Sequence, residues 1–215
     1  IYTLSKGVHN SIMIHRGTAK HPTESSGSTA DYRSHALIDT ETFFRLPQWL
    51  TRDLRSDHAG ETGAVAMYKG ILAVSPCDNV RTFASEHLKT ESNHLRLIET
   101  ILPTADRSMS LPFWNFAGYI TGALPALFGS EAVFQTINAV ETFVDDHYKK
   151  QVIRLNHHHR HLRIANILER CRLEEVQHRD EARNHSAGAS NVFLKIWCKL
   201  VASGSSVAVT IARAI

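Results

Sequence analysis

Six residues repeat one arrangement along this chain: Glu61, then Glu91-x-x-His94, then Glu141, then Glu175-x-x-His178. The pairs alone carry little weight. With 12 Glu and 14 His in 215 residues, a His three places after a Glu is expected about 0.8 times by random placement. Their setting is what constrains the fold, because each lies on an apolar stripe of helical period. The first stripe runs Leu54, Asp57/His58, Glu61, Val65, Tyr68, Leu72, and the second Ala84, Leu88, Glu91, His94/Leu95, Ile98, Leu102. The third reads Val133, Ile137, Glu141, Val144, Tyr148, and the fourth Ile164, Leu168, Cys171, Glu175, His178, Ala182. Residues three and four apart share a helix face, so these carboxylates point where the hydrophobic side chains point. An unpaired charge there costs on the order of several kcal/mol. One buried carboxylate is answered by an ion pair; four on four core faces call for a common counter-charge, which two divalent cations supply.

One Glu from each of two helices and an ExxH from each of the other two is the ligand order of ferritin-like carboxylate bundles. The chain is therefore expected to be all-α, a ferritin-like four-helix bundle of two helical hairpins. Glu61 and Glu91 are 30 residues apart, Glu141 and Glu175 are 34, and Glu91 and Glu141 are 50, which leaves room for a crossover between hairpins. Pro76 and Pro103 break the first two helices. The crossover, Ser108–Ser130, contains no charged residue, but Pro112, Pro125, Asn115 and three glycines interrupt it. It is expected to lie in a membrane interface or to pack on the bundle. Val192–Ile215 carries only Lys195, Lys199 and Arg213 as charges, the composition of an additional C-terminal membrane-associated helix; a fifth core helix is the plainer alternative. Together these segments point to a lipophilic substrate delivered from the bilayer.

Several function classes are disfavoured. A net charge of +3 without any Lys/Arg block argues against nucleic-acid binding. Cys77, Cys171 and Cys198 are scattered, which speaks against thiolate-bound zinc or a disulfide framework. There is no GxSxG, GxGxxG or P-loop. The histidines at 157, 158, 159 and 161 fall between the third and fourth helices, outside the repeat, and read as a solvated loop. Residues 1–45 read as an N-terminal extension preceding a diiron domain at 46–215. The first 23 residues hold Lys6, Arg16 and Lys20 with no acidic residue, in the manner of a mitochondrial targeting peptide, and Ile1 in place of Met suggests a fragment or processed form.

The segment Ser56-Asp57-His58-Ala59-Gly60-Glu61-Thr62-Gly63-Ala64 resembles the signature of the demethoxyubiquinone hydroxylase family, the membrane-associated diiron monooxygenases of ubiquinone synthesis. The resemblance continues through Glu91–Leu95, Leu111–Asn115, Ala139–Glu141, His147–Gln151 and Glu174–Asp180. It covers the chain from about Leu46 onward. Thr62 departs from it, standing where an aromatic residue is usual. The resemblance implies hydroxylation by O₂ of the ring of a polyprenylated demethoxyubiquinone or its quinol, with NADH or an electron carrier as reductant. It implies two Fe ions per chain held by Glu61, Glu91, His94, Glu141, Glu175 and His178, with either Glu91 and Glu175 or Glu61 and Glu141 bridging. Glu174 competes with Glu175 for one position. His147 and Tyr148 are implied near the quinone, as a relay of electrons or protons. Asp57, Asp145 and Asp146 are candidate acceptors for the ligand imidazoles. A peripheral site on the matrix side of the mitochondrial inner membrane is implied, or a bacterial inner membrane, with a ubiquinone-biosynthesis complex among the partners. Another diiron oxidase of this architecture, an iron store and a non-catalytic quinone-binding scaffold are the competing readings.

Overall fold

The computed structural model describes residues 46–159, 161–188 and 191–215. The readings made for residues 1–45 lie outside these. Among the described residues there are six α-helices, one short 3₁₀ turn at Thr104–Asp106 and no strand. The helices are α1 (Gln48–Val74), α2 (Asp78–Ile101), α3 (Leu111–Ala126), α4 (Ser130–His158), α5 (Leu162–His185) and α6 (Val192–Ala214). Their ends follow local chemistry. Pro76 stops α1 at an extended Ser75, and Asp78 complements the positive end of α2. The Asn191 side chain accepts the Leu194 N–H to cap α6.

α1 with α2, and α4 with α5, form the two hairpins of the bundle. Two apolar layers hold them together. In one, Leu50 and Leu54 of α1 meet Ile98 of α2 and Leu102 at its end, Leu155 of α4 and Leu168 of α5. In the other, Tyr68 and Ile71 meet Val80 and Phe83, Phe134 and Ile137, and Ala182. Thus α1 and α5 run one way, and α2 and α4 the other. The six repeated residues sit on these helices between the two layers, and all are buried.

The crossover is a helix packed on the bundle. α3 runs along α1, and this is the most extensive helix pair in the fold. Glycines make it possible: a Cβ at Gly118 would fall on the carbonyl of Gly63, and one at Gly122 on the carbonyl of Met67. The backbones therefore touch, while the other face of α3 leaves Phe113 and Phe116 exposed, with Leu127 and Phe128 just beyond it. α6 packs on α1 and α4 and leaves Phe193, Ile196 and Leu200 exposed. Replacing Gly122 by Val forces the two backbones apart. The expected loss is about 3 kcal/mol or more, read as a fall in Tm of about 10 °C; an unchanged Tm would mean that α3 does not seat this way.

Candidate metal centre

Each helix of the bundle delivers its ligand candidates by register alone, since the stripe that packs the two apolar layers also carries the carboxylates. The outcome is two overlapping sets. Glu61, Glu91, His94 and Glu175 bring one donor atom each within 4.8 Å of one another, and so do Glu91, Glu141, Glu175 and His178. Only Glu91 and Glu175 belong to both, so the geometry favours them over Glu61 and Glu141 as the shared pair. Each set holds one imidazole, presented through Nδ1. His94 Nδ1 lies 2.9 Å from Glu175 Oε1, and His178 Nδ1 lies 3.0 Å from Glu91 Oε1.

These close approaches are not aligned as hydrogen bonds. Both Glu91 oxygens, Glu61 Oε2, Glu175 Oε2 and the Nδ1 atoms of His94 and His178 are buried with no hydrogen-bond partner. Buried polar atoms are seldom left so. Their lone pairs converge on common points, which fits a pair of divalent cations, and the carboxylate-rich donor set suits iron or manganese.

Charge is strained accordingly. Burial pushes the Glu61 carboxyl well above its usual range, against the pull of His94. Burial raises Glu141 too, and the Glu175 and Glu91 charges add to it. Glu91 is drawn down instead: burial opposes its ionisation, but the imidazoles of His178 and His94 outweigh it. Both imidazoles are raised. For His178 burial works against the charge, yet Glu175 and Glu91 lift it to about 11.

A surrounding layer holds the ligands. Tyr148 donates to Glu61, and Tyr68 donates to Glu141 Oε1 over 3.2 Å; burial pushes both phenols well above their ordinary range. Tyr148 is thus tied to a carboxylate of the candidate centre. His94 Nε2 lies 2.6 Å from Glu174 Oε2, so Glu174 is the outer partner of a ligand candidate and Glu175 the inner one. His178 packs edge-on against His87, ring centroids 4.1 Å apart, and His87 Nε2 lies 3.0 Å from Glu181 Oε2. None of the three aspartates expected to orient these imidazoles does so. Asp57 Oδ1 meets His147 Nε2 at 2.9 Å and the Gln151 amide at 2.6 Å. Asp145 takes Arg172 and Arg179, and exposed Asp146 takes Lys150. His157, His158 and His159 are exposed, and His158 stacks on Trp49.

Beside the centre runs a groove of 390 Å³ between α1, α3, α4 and α6. Gly60 and Ala64 of α1, Trp114 of α3, Val144 of α4, and Trp197 and Gly204 of α6 line it. Ser56 is one of its few polar linings. Its hydroxyl donates to the Asp53 carbonyl and sits 3.4 Å from His147 Nε2, so His147 stands directly behind the wall. Tyr68 and Gln151 escaped the reading of the sequence. Tyr68 was the more legible, because a phenol on a core stripe needs a polar partner, and the next stripe ligands supply one.

The family model described as ubiquinone biosynthesis protein COQ7 matches residues 48–212. The mitochondrial NADPH-dependent 3-demethoxyubiquinone 3-hydroxylase of Mus musculus is 28% identical over 189 residues, 86% of this chain and 81% of its own length. The protein of the same name from Dictyostelium discoideum is 31% identical over 169 residues, 75% and 76% of the two chains. The 3-demethoxyubiquinol 3-hydroxylase of Rhodospirillum rubrum is 36% identical over 136 residues, 61% and 62%.

Two outcomes follow from the geometry. A metal must displace protons from imidazoles and carboxyls whose affinity for protons is raised, so anaerobic loading with Fe(II) releases protons, and apparent affinity climbs from about pH 6 to about pH 8. Uptake independent of pH would place the ligands elsewhere. Glu174→Ala removes the group that orients His94 and is expected to weaken metal binding by about 10- to 100-fold, measured by competition with a chelator, with helicity unchanged.

Proposed function

The chain belongs to the ubiquinone biosynthesis protein COQ7 family, and we propose that its buried carboxylate–imidazole centre holds the two iron ions of a quinone-ring hydroxylase. It is a hydroxylase of ubiquinone biosynthesis. On this reading Glu61, Glu91, His94, Glu141, Glu175 and His178 are the ligands, with Glu91 and Glu175 shared by both ions. The observation that carries the reading is the pair of overlapping donor sets with partnerless lone pairs beside an apolar groove. Bound iron supplies the activation of O₂ that places one oxygen atom on the ring. The substrate is a demethoxyubiquinone or its quinol, as in the names of the relatives, with the polyprenyl tail that the resemblance implies.

The chain's own residues do the remainder. Tyr148 and Tyr68 hold the two unshared carboxylates by hydrogen bonds, so that Glu61 and Glu141 keep their places while charge at the centre changes. Glu174 holds His94. The apolar layers on either side exclude water. His147, held by Asp57 and Gln151 behind Ser56 at the groove wall, is placed to move a proton between the groove and the Asp57 carboxylate. The reductant is a reduced nicotinamide nucleotide; the mouse and Dictyostelium relatives are named for NADPH, where the resemblance implied NADH or an electron carrier.

The exposed aromatic and aliphatic side chains of α3 and α6, and a Val192–Ala214 helix long and apolar enough to cross a membrane, support attachment to a membrane surface. Because one face of α6 is engaged by α1 and α4, we read it as lying on the bundle and dipping its outer face into the lipid. The eukaryotic relatives are named as mitochondrial, which supports a mitochondrial location; the matrix face of the inner membrane, or a bacterial inner membrane, is our reading from the resemblance. A ubiquinone-biosynthesis complex is the proposed protein partner.

Anaerobic reconstitution is expected to load close to two irons per chain, with hydroxylation of demethoxyubiquinol under O₂ and NADPH. Glu141→Ala is expected to abolish turnover while leaving the far-UV circular dichroism helical. Wild-type turnover in that variant would remove Glu141 from the ligand set, and a chain that takes up no iron would end the diiron reading.

A further inference from the structure

We infer that Gly204 of α6, with Gly60 of α1 on the same groove, keeps open the space in which the substrate's isoprenoid chain lies, so that side-chain bulk at position 204 selects quinones by their tail. The inference rests on the quinone reading of the groove given above.

Four observations carry it. First, α6 lines the groove with Trp197, Leu200 and Val201, then Gly204, Ser205 and Ala208, and then Val209. Larger side chains thus flank a small middle. Second, Gly204 has no local reason to be glycine. A Gly inside a helix costs about 1 kcal/mol relative to Ala. At Gly118 and Gly122 close backbone contact accounts for it, and at Gly129 and Gly188 a positive φ does. At Gly204, as at Gly60, a Cβ would meet nothing within 4 Å, and φ is not in the positive region. What the missing side chain provides is room.

Third, the wall asks for hydrocarbon. The Ser205 hydroxyl donates to the Val201 carbonyl and the Thr121 hydroxyl to that of Ala117. The indole N–H of Trp197 donates to Thr136 and that of Trp114 to Ser110. These polar groups are already satisfied, so an occupant gains nothing by offering hydrogen bonds here and gains by offering apolar surface. Fourth, the wall is pinned at both ends. The Trp197–Thr136 bond, 2.9 Å, holds one end to α4. At the other, Arg213 pairs at 2.5 Å with Asp53, a fully buried carboxylate that also takes Arg154 of α4 at 2.8 Å. Between these anchors the helix is not free to retreat from added bulk.

Trp114 and Trp197 line the groove, so a bound quinone, which quenches indole fluorescence, reports its own binding without iron or turnover. The probes are ubiquinone analogues carrying one isoprene unit or a long polyprenyl tail, titrated into full-length protein in detergent micelles. Gly204→Leu is expected to weaken the long-tailed quinone about tenfold or more and the one-unit quinone by less than about twofold, the scale on which a hydrophobic pocket discriminates bulk. Gly204→Val is expected to fall between. Ser206→Leu, which adds the same bulk at an exposed position away from the groove, leaves both affinities unchanged. Wild-type binding of the long-tailed quinone by Gly204→Leu, or equal weakening of both probes, would overturn the inference while leaving the hydroxylase reading intact. Failure of the wild-type protein to bind either quinone would overturn the quinone reading of the groove and this inference with it.

Discussion

Everything in this fold is arranged around acidic groups that have no business in an apolar core. Glu61, Glu91, Glu141 and Glu175 are buried at the middle of four helices, where isolated charge is expensive. In the absence of a cation the centre manages by sharing protons: Glu61 and Glu141 are pushed toward their neutral forms by burial, while His94 and His178 hold positive charge against burial because carboxylates crowd them. That is an unstable settlement. Divalent cations in place of those protons would satisfy the converging lone pairs at once.

The need for fixed geometry explains the next ring of residues. A carboxylate can bind a cation through either oxygen and can swing, so each unshared one is tethered by a phenol from another helix, Tyr148 of α4 on Glu61 of α1 and Tyr68 of α1 on Glu141 of α4. His94 is fixed directly by Glu174. His178 is bounded by His87 and, beyond it, Glu181. The centre is thus braced on the α2–α5 side by Glu174 and Glu181, which reach solvent, while His147 of α4 meets Ser56 at the groove wall.

Hydrophobic surface is distributed unevenly for the same reason. α3 spends its small residues on backbone contact with α1 and leaves Phe116 and Tyr119 exposed. α6 turns a largely apolar face with a small middle to the groove and exposes Phe193 and Ile196. The groove and the exposed apolar surface thus belong to two faces of the same helices.

The bundle and its candidate ligands were readable from the sequence alone. Glu61, Glu91, His94, Glu141, Glu175 and His178 were legible because helical period is a local property: once a residue lies on the apolar stripe, it faces the core whatever the partner helices are. The same logic exposed the uncharged crossover and the amphipathic C-terminal helix. Relations between helices were not legible. Asp57, Asp145 and Asp146 were plausible partners for the imidazoles by spacing, yet they hold His147, two arginines and a lysine, because which polar groups meet across a bundle depends on rotation and stagger of whole helices. For the same reason only the folded chain could show Glu174 outside Glu175, Glu91 and Glu175 common to both donor sets, and Gly204 beside open space while Gly122 is pressed against a backbone. Periodicity tells each helix which side is inside; only packing decides what it finds there.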